Sequence, residues 1–305
     1  MVKGSFLMLL AVFLFTVVAI LTKLAAVDYG IGEVVFYRSL LGALLCWLIA
    51  RRKGVALATK RPLRHLVRCT IGTTSIALGV YILTVMPIAT AQTLTYTGPL
   101  WFCLFLSIEC LLRKERIDLP TLAAVGVGFV GVLLILRPDM SGFLSPWAPL
   151  FGILTGLTGG GADFMIRNLS QHGEPPERIV FYFTSAGTVA GFALSSATGW
   201  TPLTPHGITL LLGIGVAATL AQLSLTSAWT YGNALLNAIF SFAAIPFALA
   251  FGVFLFLEPI DWISGLGILI VTGAGVAASV RRMIKEREAS ARTKTTLSIT
   301  RTTYR

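Results

Sequence analysis

Stretches of about twenty apolar residues follow one another along this chain, parted by short polar or Gly- and Pro-bearing breaks. A helix needs about 20 mostly apolar residues to cross the hydrocarbon core of a bilayer. That ruler predicts ten membrane helices, at residues 4–26, 31–50, 68–86, 88–112, 119–137, 148–167, 178–197, 207–228, 233–256 and 262–280. Two breaks are tight: Met86-Pro87 after the third span and Thr230-Tyr231-Gly232 after the eighth. They occupy matching places in the two halves. The first apolar run, from Phe6 to about Leu21, is longer than the core of a secretory signal and leads straight into further spans. It reads as an uncleaved first helix.

The halves echo each other. Val35-Phe36-Tyr37-Arg38-Ser39 returns as Val180-Phe181-Tyr182-Phe183-Thr184-Ser185, and Glu115-Arg116-Ile117-Asp118 as Glu258-Pro259-Ile260-Asp261. Five spans per half is an odd number, so the second copy enters the membrane from the other face. The expected fold class is therefore an all-α membrane protein with ten transmembrane helices in two inverted five-helix repeats. The repeats span residues 1–140 and 141–283, and a disordered basic cytoplasmic tail follows at 284–305. Inverted repeats put a shared cavity near mid-membrane that either half can open to its own side.

Charge fixes the orientation. With both termini inside, 21 of the 24 Lys and Arg residues fall in predicted cytoplasmic segments, and Arg137 alone falls in a predicted outer loop. The other orientation would drag the basic 51–68 segment across the bilayer, against the positive-inside rule. Localisation in a bacterial inner membrane, multi-pass, with N- and C-termini cytoplasmic, is the expectation.

Composition narrows the class further. The 305 residues are 55% hydrophobic and 12% charged, about half the charge of a soluble domain, with a mean hydropathy of +0.83. The net charge of +11 does not indicate nucleic acid, because the basic residues sit between spans and in the tail rather than on an aromatic-interleaved face. Cys46, Cys69, Cys103 and Cys110 lie in or beside apolar spans without metal or redox spacing. His65, His172 and His206 fall in predicted loops. No metal, cofactor or catalytic group is expected. The run Thr158-Gly159-Gly160-Gly161 is no phosphate loop, since no Gly-Lys-Ser/Thr follows it.

In the second half Pro246 is followed twelve residues on by Glu258, then by Gly265-Leu266-Gly267 through Gly273-Ala274-Gly275-Val276. In the first half Pro99, Glu115 and Gly126-Val127-Gly128-Phe129-Val130-Gly131-Val132 match, with sixteen residues between Pro and Glu. With this doubling the chain resembles the drug/metabolite transporter superfamily, with two EamA-type domains of five helices each. The resemblance implies a carrier for small organic metabolites in the inner membrane. Cargoes in that superfamily include amino acids, nucleotide-like compounds, vitamins, metallophores and sugars. The motif residues mark fold and repeat, not cargo.

Ionisable groups inside a membrane are costly and so are functional candidates. Arg38, just inside helix two, could clamp a carboxylate or phosphate. Its repeat counterpart is Phe183, and its bland alternative is a snorkelling or salt-bridged structural role. Asp163 and Arg167 have the spacing of a structural helix pair, as do Glu109 and Arg113. An unpaired acid at mid-depth, the mark of a proton relay, is not evident. Neutral polar residues make the rest of the candidate substrate site: Gln92 and Tyr96 on helix four, Gln222 on helix eight, and Asn237 and Ser241 on helix nine. Interhelical hydrogen bonding is the alternative for each. Pro99 and Pro246 are candidate helix-break or gating residues, with a plain packing kink as the alternative. Gly152, Gly156 and Gly160 form a small-residue ladder on helix six that invites close intramolecular packing.

These features predict a secondary transporter, not an enzyme. It moves a small organic metabolite, amino-acid-like or aromatic and vitamin-like, by alternating access. The partners expected are that small-molecule substrate and the lipid bilayer, with no nucleic acid, and the chain acts as a monomer or homodimer. A non-transporting membrane scaffold or receptor is the main alternative. An integral membrane enzyme would want clustered acids, a His or an activated Ser near an interface.

Overall fold

A computed structural model describes residues 2–85, 94–114, 118–136, 146–247, 250–251, 262–263, 265–277, 280–281 and 284. Gln92, Glu115, Glu258, Arg137 and the tail beyond 284 lie outside these residues. Among them the chain is helical without strands. The helices are α1 (Val2–Ala25), α2 (Ile31–Arg52), α3 (Pro62–Val85), α4 (Gly98–Leu112), α5 (Leu119–Leu136), α6 (Ala148–Gln171), α7 (Pro176–Thr198), α8 (Pro205–Tyr231), α9 (Ala234–Ser241) and α10 (Gly265–Ala277). The order and rough limits follow the ten predicted spans.

Local sequence explains the ends. Glu33 closes the first turn of α2 by accepting the Gly30 N–H at 2.8 Å. The Thr204 hydroxyl caps α8 from the residue before Pro205, accepting the Gly207 N–H at 3.0 Å. Gly54 and Gly173, just past α2 and α6, hold positive φ of 67° and 80°, which glycine adopts without a side-chain penalty.

Four described helices are both long and apolar enough to cross a membrane by composition alone: Gly4–Thr22, Ile31–Arg52, Pro176–Thr198 and Pro205–Tyr231. Two others, α3 and α6, have 24 residues each, about 36 Å of helix, but carry polar and charged side chains. They avoid lipid by packing on each other and on α7, α4 and α8. Leucines and valines on the outside, such as Leu44, Leu104, Val127 and Leu220, are exposed, as a lipid-facing surface requires.

α2 runs along α7, α1 along α8 and α3 along α6, while α4 packs on α6 and α9 touches α1. These pairings are exchanged among themselves when each helix of the first half is matched with its counterpart five helices on. The small-residue ladder on α6 carries the start of α4. A Cβ at Gly156 would meet Leu94 O at 2.7 Å and one at Gly160 would meet Phe102 N at 2.8 Å.

Turns interrupt the helical path at Tyr96–Thr97 and at Phe242–Ala243, each shortly before a proline. Thr97, Phe242, Ala243 and Ile245 donate to the carbonyl three residues back rather than four, the tightened form that a break in the α-helical ladder leaves.

Two expectations are corrected. α3 begins at Pro62, six residues before the predicted span, so His65 and Arg68 are helical and buried (2% and 3% exposed) rather than in a loop. Their charges disguised them as loop residues. Second, Arg167 pairs not with Asp163 but with Glu109 on α4, at 2.6 Å, and Glu109 also takes Arg113 at 2.7 Å. A single carboxylate joined to two guanidiniums across helices satisfies more donors than the intrahelical pair would.

Candidate functional site

The centre of the molecule is set by glycines that let α2 and α7 touch backbone to backbone. A Cβ at Gly191 would meet Phe36 N at 2.5 Å and Phe36 Cα at 2.7 Å. Farther along, Gly187 faces Ser39 and Gly42 faces Thr184, at 2.6 Å and 2.8 Å from the same hypothetical atom. The spacing that matches Val35 with Val180 also matches Ser39 with Thr184 and Gly42 with Gly187. The two contacts are therefore one contact made twice.

Where α2, α7, α3 and α8 meet, a cavity of about 30 Å³ remains, lined by Arg38, Ser39, Thr73, Phe183, Thr184, Thr219 and Gln222 among others. The hydroxyls of Thr184 and Thr219 donate to their own helices, to Val180 O at 2.9 Å and Gly215 O at 2.6 Å. Their oxygen lone pairs are left for the cavity. Gln222 is 7% exposed and forms no hydrogen bond among the described residues. Arg38 likewise has no acidic partner there. Its nearest acid in sequence, Glu33, is consumed by Gly30 and Thr201. A fixed cation beside free amide and hydroxyl groups is the chemistry that accepts an anionic or hydrogen-bonding solute.

Both ends of this cavity are fastened between the halves. At the end bearing the α1–α2 and α7–α8 connections, the Tyr29 hydroxyl accepts the Thr204 N–H at 3.1 Å. Glu33 accepts the Thr201 N–H at 2.6 Å and hydroxyl at 3.0 Å. At the other end, which carries the basic α2–α3 connection, the Thr59 hydroxyl donates to Glu174 at 2.6 Å. There Arg178 donates to Glu174 at 2.8 Å and, through Nε and Nη2, to Ala56 O. By the same repeat spacing Tyr29 matches Glu174, Glu33 matches Arg178, Ala56 matches Thr201 and Thr59 matches Thr204. The two fastenings are positional counterparts built from different chemistry.

The basic fastening alone contains a histidine. His65 Nε2 lies 3.2 Å from Glu174, and its ring packs on Tyr182 with centroids 4.5 Å apart. Burial pushes His65 below its ordinary pKa, partly opposed by the bond to Glu174. Burial alone would raise Glu174, but hydrogen bonds from Thr59, Arg178 and His65 outweigh it and hold the carboxyl below its usual value.

A second, larger cavity of about 370 Å³ lies at the basic end between α4, α6 and the α8–α9 turn, lined by Ser107, Arg167, Ser170, Gln171, Trp229 and Asn233 among others.

Of the residues singled out from sequence, the structure brings Arg38 and Gln222 into one cavity. Tyr96 sits at the turn before α4, packed on the main apolar core. Asn237 is fully buried and donates to Ala228 O at 2.6 Å, bracing the α8–α9 turn. Ser241 donates to Ala238 O of its own helix at 2.7 Å. Pro99 lies in the first turn of α4, and Pro246 follows the turn after α9. Ser39, Thr73, Thr184 and Thr219 were missed. Their signal was present in the matched Ser39 and Thr184 of the echoed segments.

The EamA-like transporter family profile matches residues 2–137. A pseudopaline exporter, CntI, of Pseudomonas aeruginosa (strain UCBPP-PA14) is 32% identical over 277 residues, covering 91% of this chain and 96% of the relative. A riboflavin transporter of Rhizobium johnstonii is 28% identical, covering 78% of this chain and 77% of its own. An S-adenosylmethionine uptake transporter of Rickettsia conorii is 24% identical, covering 85% and 86%. A solved crystal structure shares the fold at a TM-score of 0.75 and 17% identity, over 92% of this chain and 98% of that one.

Proposed function

The chain belongs to the EamA-like transporter family and is a multi-pass membrane protein, and on that footing we propose that it carries a small organic solute across the bacterial inner membrane by alternating access. The observation that carries this reading is the central cavity between matched helices, with a fastening between the halves at each end. Residues 1–140 and 141–283 act as inverted repeats with both termini cytoplasmic. The basic fastening then opens inward and the Tyr29–Glu33 fastening outward. With both bonded and only about 30 Å³ left between them, the arrangement suits the occluded stage of the cycle.

Arg38 and Gln222 are the first choices for solute contact, with the lone pairs of Thr184 and Thr219 as acceptors. Tyr96, Asn237 and Ser241 act through the helix breaks and turns near Pro99 and Pro246. The relatives named for exporting or importing pseudopaline, riboflavin or S-adenosylmethionine agree with an organic cargo without selecting one.

The test is a metabolite comparison between cells lacking and overproducing the protein, followed by proteoliposome flux of whatever changes. Arg38→Gln should cut flux of an anionic cargo by tenfold or more, the worth of one charge-assisted contact of about 1.5–3 kcal/mol. Flux that is identical in wild type, Arg38→Gln and Gln222→Ala would remove the site. Metabolite pools that do not respond to the protein would favour the scaffold.

A further inference from the structure

At about 30 Å³ the central cavity has room for about two waters, against ~300–1,000 Å³ for a site that encloses a metabolite. It must therefore grow when a solute enters, and its walls differ in what resists that growth. Toward α7, α2 is closed by backbone on backbone at Gly191 and Phe36. Toward α8 the closure is one side chain. Leu41 lies on Gly215, where a Cβ would meet Leu41 Cδ2 at 2.6 Å and its Cβ at 3.0 Å. One residue along, a Cβ at Gly42 would stand 3.3 Å from the hydroxyl of Thr219, a wall of the cavity.

Outside Leu41, along the same α2–α8 seam, lies an apolar groove of about 210 Å³. Leu40 and Leu44 of α2 and Ile208 and Leu212 of α8 line it and are exposed, and Leu211, which also lines it, is buried. Among the described residues no charged side chain lines the groove. Leu41 is itself one of its walls, so this leucine borders the groove on one side and stands beside the cavity on the other. The partition is no part of the two-fold frame: at the repeat spacing Leu41 is matched by Ala186 and Gly215 by Thr70.

We infer that the α2–α8 seam is a side portal to the central site and that the cargo is an anionic amphiphile, its charged head on Arg38 and Gln222 and its apolar arm in the groove past a displaced Leu41. The inference rests on the carrier reading and names its substrate class. A cation without a described acidic partner in one space, and a charge-free apolar space one side chain away, together suit one negative head on one hydrocarbon or aryl arm. Moving Leu41 aside joins the two spaces and brings them toward the size that a metabolite needs. Between cargoes a lipid tail fills the groove. Lipid tails are as apolar as leucine, so exchanging one for the arm costs little. The groove ends at Leu203 in the α7–α8 connection. Under the carrier reading that end is the outer one, so the arm passes through the outer leaflet.

The full chain in proteoliposomes tests it, with radiolabelled alkyl sulfonates as probes, because a sulfonate keeps its charge and does not cross the bilayer as a neutral acid. Protein-dependent uptake of octanesulfonate should exceed that of ethanesulfonate by at least about tenfold, the effect of two buried methylene groups. Octyltrimethylammonium, with the same arm and the opposite charge, should not be carried. Leu40→Trp and Leu212→Trp fill the groove from its two sides, at exposed positions that accept bulk. Each should lower the octane-to-ethane ratio about tenfold. Leu41→Ala, which thins the partition, should speed octanesulfonate uptake. Arg38→Gln should depress both sulfonates and keep their ratio. A ratio that neither tryptophan variant changes overturns the inference and leaves the groove to lipid alone. So does a wild type that carries the two sulfonates equally, or that carries octyltrimethylammonium as well as octanesulfonate. A protein that carries neither sulfonate yet moves a metabolite found in the cell comparison overturns the portal and leaves the carrier reading standing. One that moves no solute overturns both.

Discussion

Glu174→Gln should unfasten the basic end of the molecule and leave the other end closed. The carboxylate is 4% exposed and accepts from Thr59, Arg178 and His65 at 2.6, 2.8 and 3.2 Å. An amide keeps one acceptor oxygen, enough for Thr59. It turns the other position into an N–H₂ group facing the donors of Arg178 and His65. The lost charge-assisted bond from Arg178 is worth about 1.5–3 kcal/mol, and a donor set against donors adds about 1 kcal/mol. The bonds from Arg178 to Ala56 O survive. The Lys53–Glu177 pair also survives, but with Lys53 largely exposed it holds little. A net loss of about 3 kcal/mol moves the closed-to-open balance at that end by about 100-fold.

Cys69 reports the change. It lies on α3 one turn beyond His65 and is 7% exposed. With Cys46, Cys103 and Cys110 replaced by Ala, maleimide labelling of Cys69 in inside-out vesicles should speed up by tenfold or more in Glu174→Gln. Glu33→Gln, which weakens the fastening at the opposite end, should leave that rate unchanged or lower it. Equal acceleration by both variants would mean general loosening rather than two separate gates, and no acceleration by Glu174→Gln would mean that this cluster does not hold the end shut.

Three further outcomes are expected. Stability in detergent should fall with acidification. His65, its pKa depressed by burial from 6.5, binds a proton more readily once released, so the closed form loses stability as pH falls below about 6.5. Glu174, held below 4.5 by its hydrogen bonds, adds a further loss below that value. The unfolding midpoint should therefore be higher at pH 7.5 than at 5.5, and His65→Gln should flatten the difference; a midpoint that rises on acidification would contradict the sign. Gly191→Val should lower the midpoint by overpacking α2 against α7, at a cost of about 2–3 kcal/mol. Gly126→Ala on α5, where a Cβ meets nothing within 4 Å, should raise stability by about 0.5–1 kcal/mol; a loss there would refute the open space beside it.

Helix number and order were legible because the bilayer imposes one length on every span. The doubled segment around Val35 and Val180 was legible as a repeat, and the structure makes its matched small residues touch each other across α2 and α7. What sequence could not supply was the choice of partner. Arg167 has Asp163 four residues away and takes Glu109 from α4 instead. Arg68 looked like part of a basic loop because charge near a span end reads as a headgroup contact, and only the packing of α3 under α6 and α7 buries it. Asn237 and Gln222 are alike in sequence terms. The amide nitrogen of one is taken by a carbonyl at a turn while its Oδ1 has no partner, and the other lines a cavity, a difference set by which neighbour lies within 3 Å.

In a doubled fold, agreement and disagreement between the copies carry different information. Where the copies agree, as at Gly42 and Gly187 or Ser39 and Thr184, the pair makes the same contact twice, and the frame explains it. The fastenings agree in position and differ in chemistry: a tyrosine and a glutamate at one end, a glutamate, an arginine and a histidine at the other. At the cavities the copies disagree outright. Arg38 is matched by Phe183 and Gln222 by Ala77. A frame needing two-fold packing has no use for a guanidinium on one side only, and a bilayer penalises it. Under the proposed carrier reading, such one-sided charges persist because something asymmetric and polar meets them, and that object is the solute. If Arg38→Phe, which restores the match with Phe183, left transport intact, one-sided charge at the cavity would have a structural cause and this reasoning would fail.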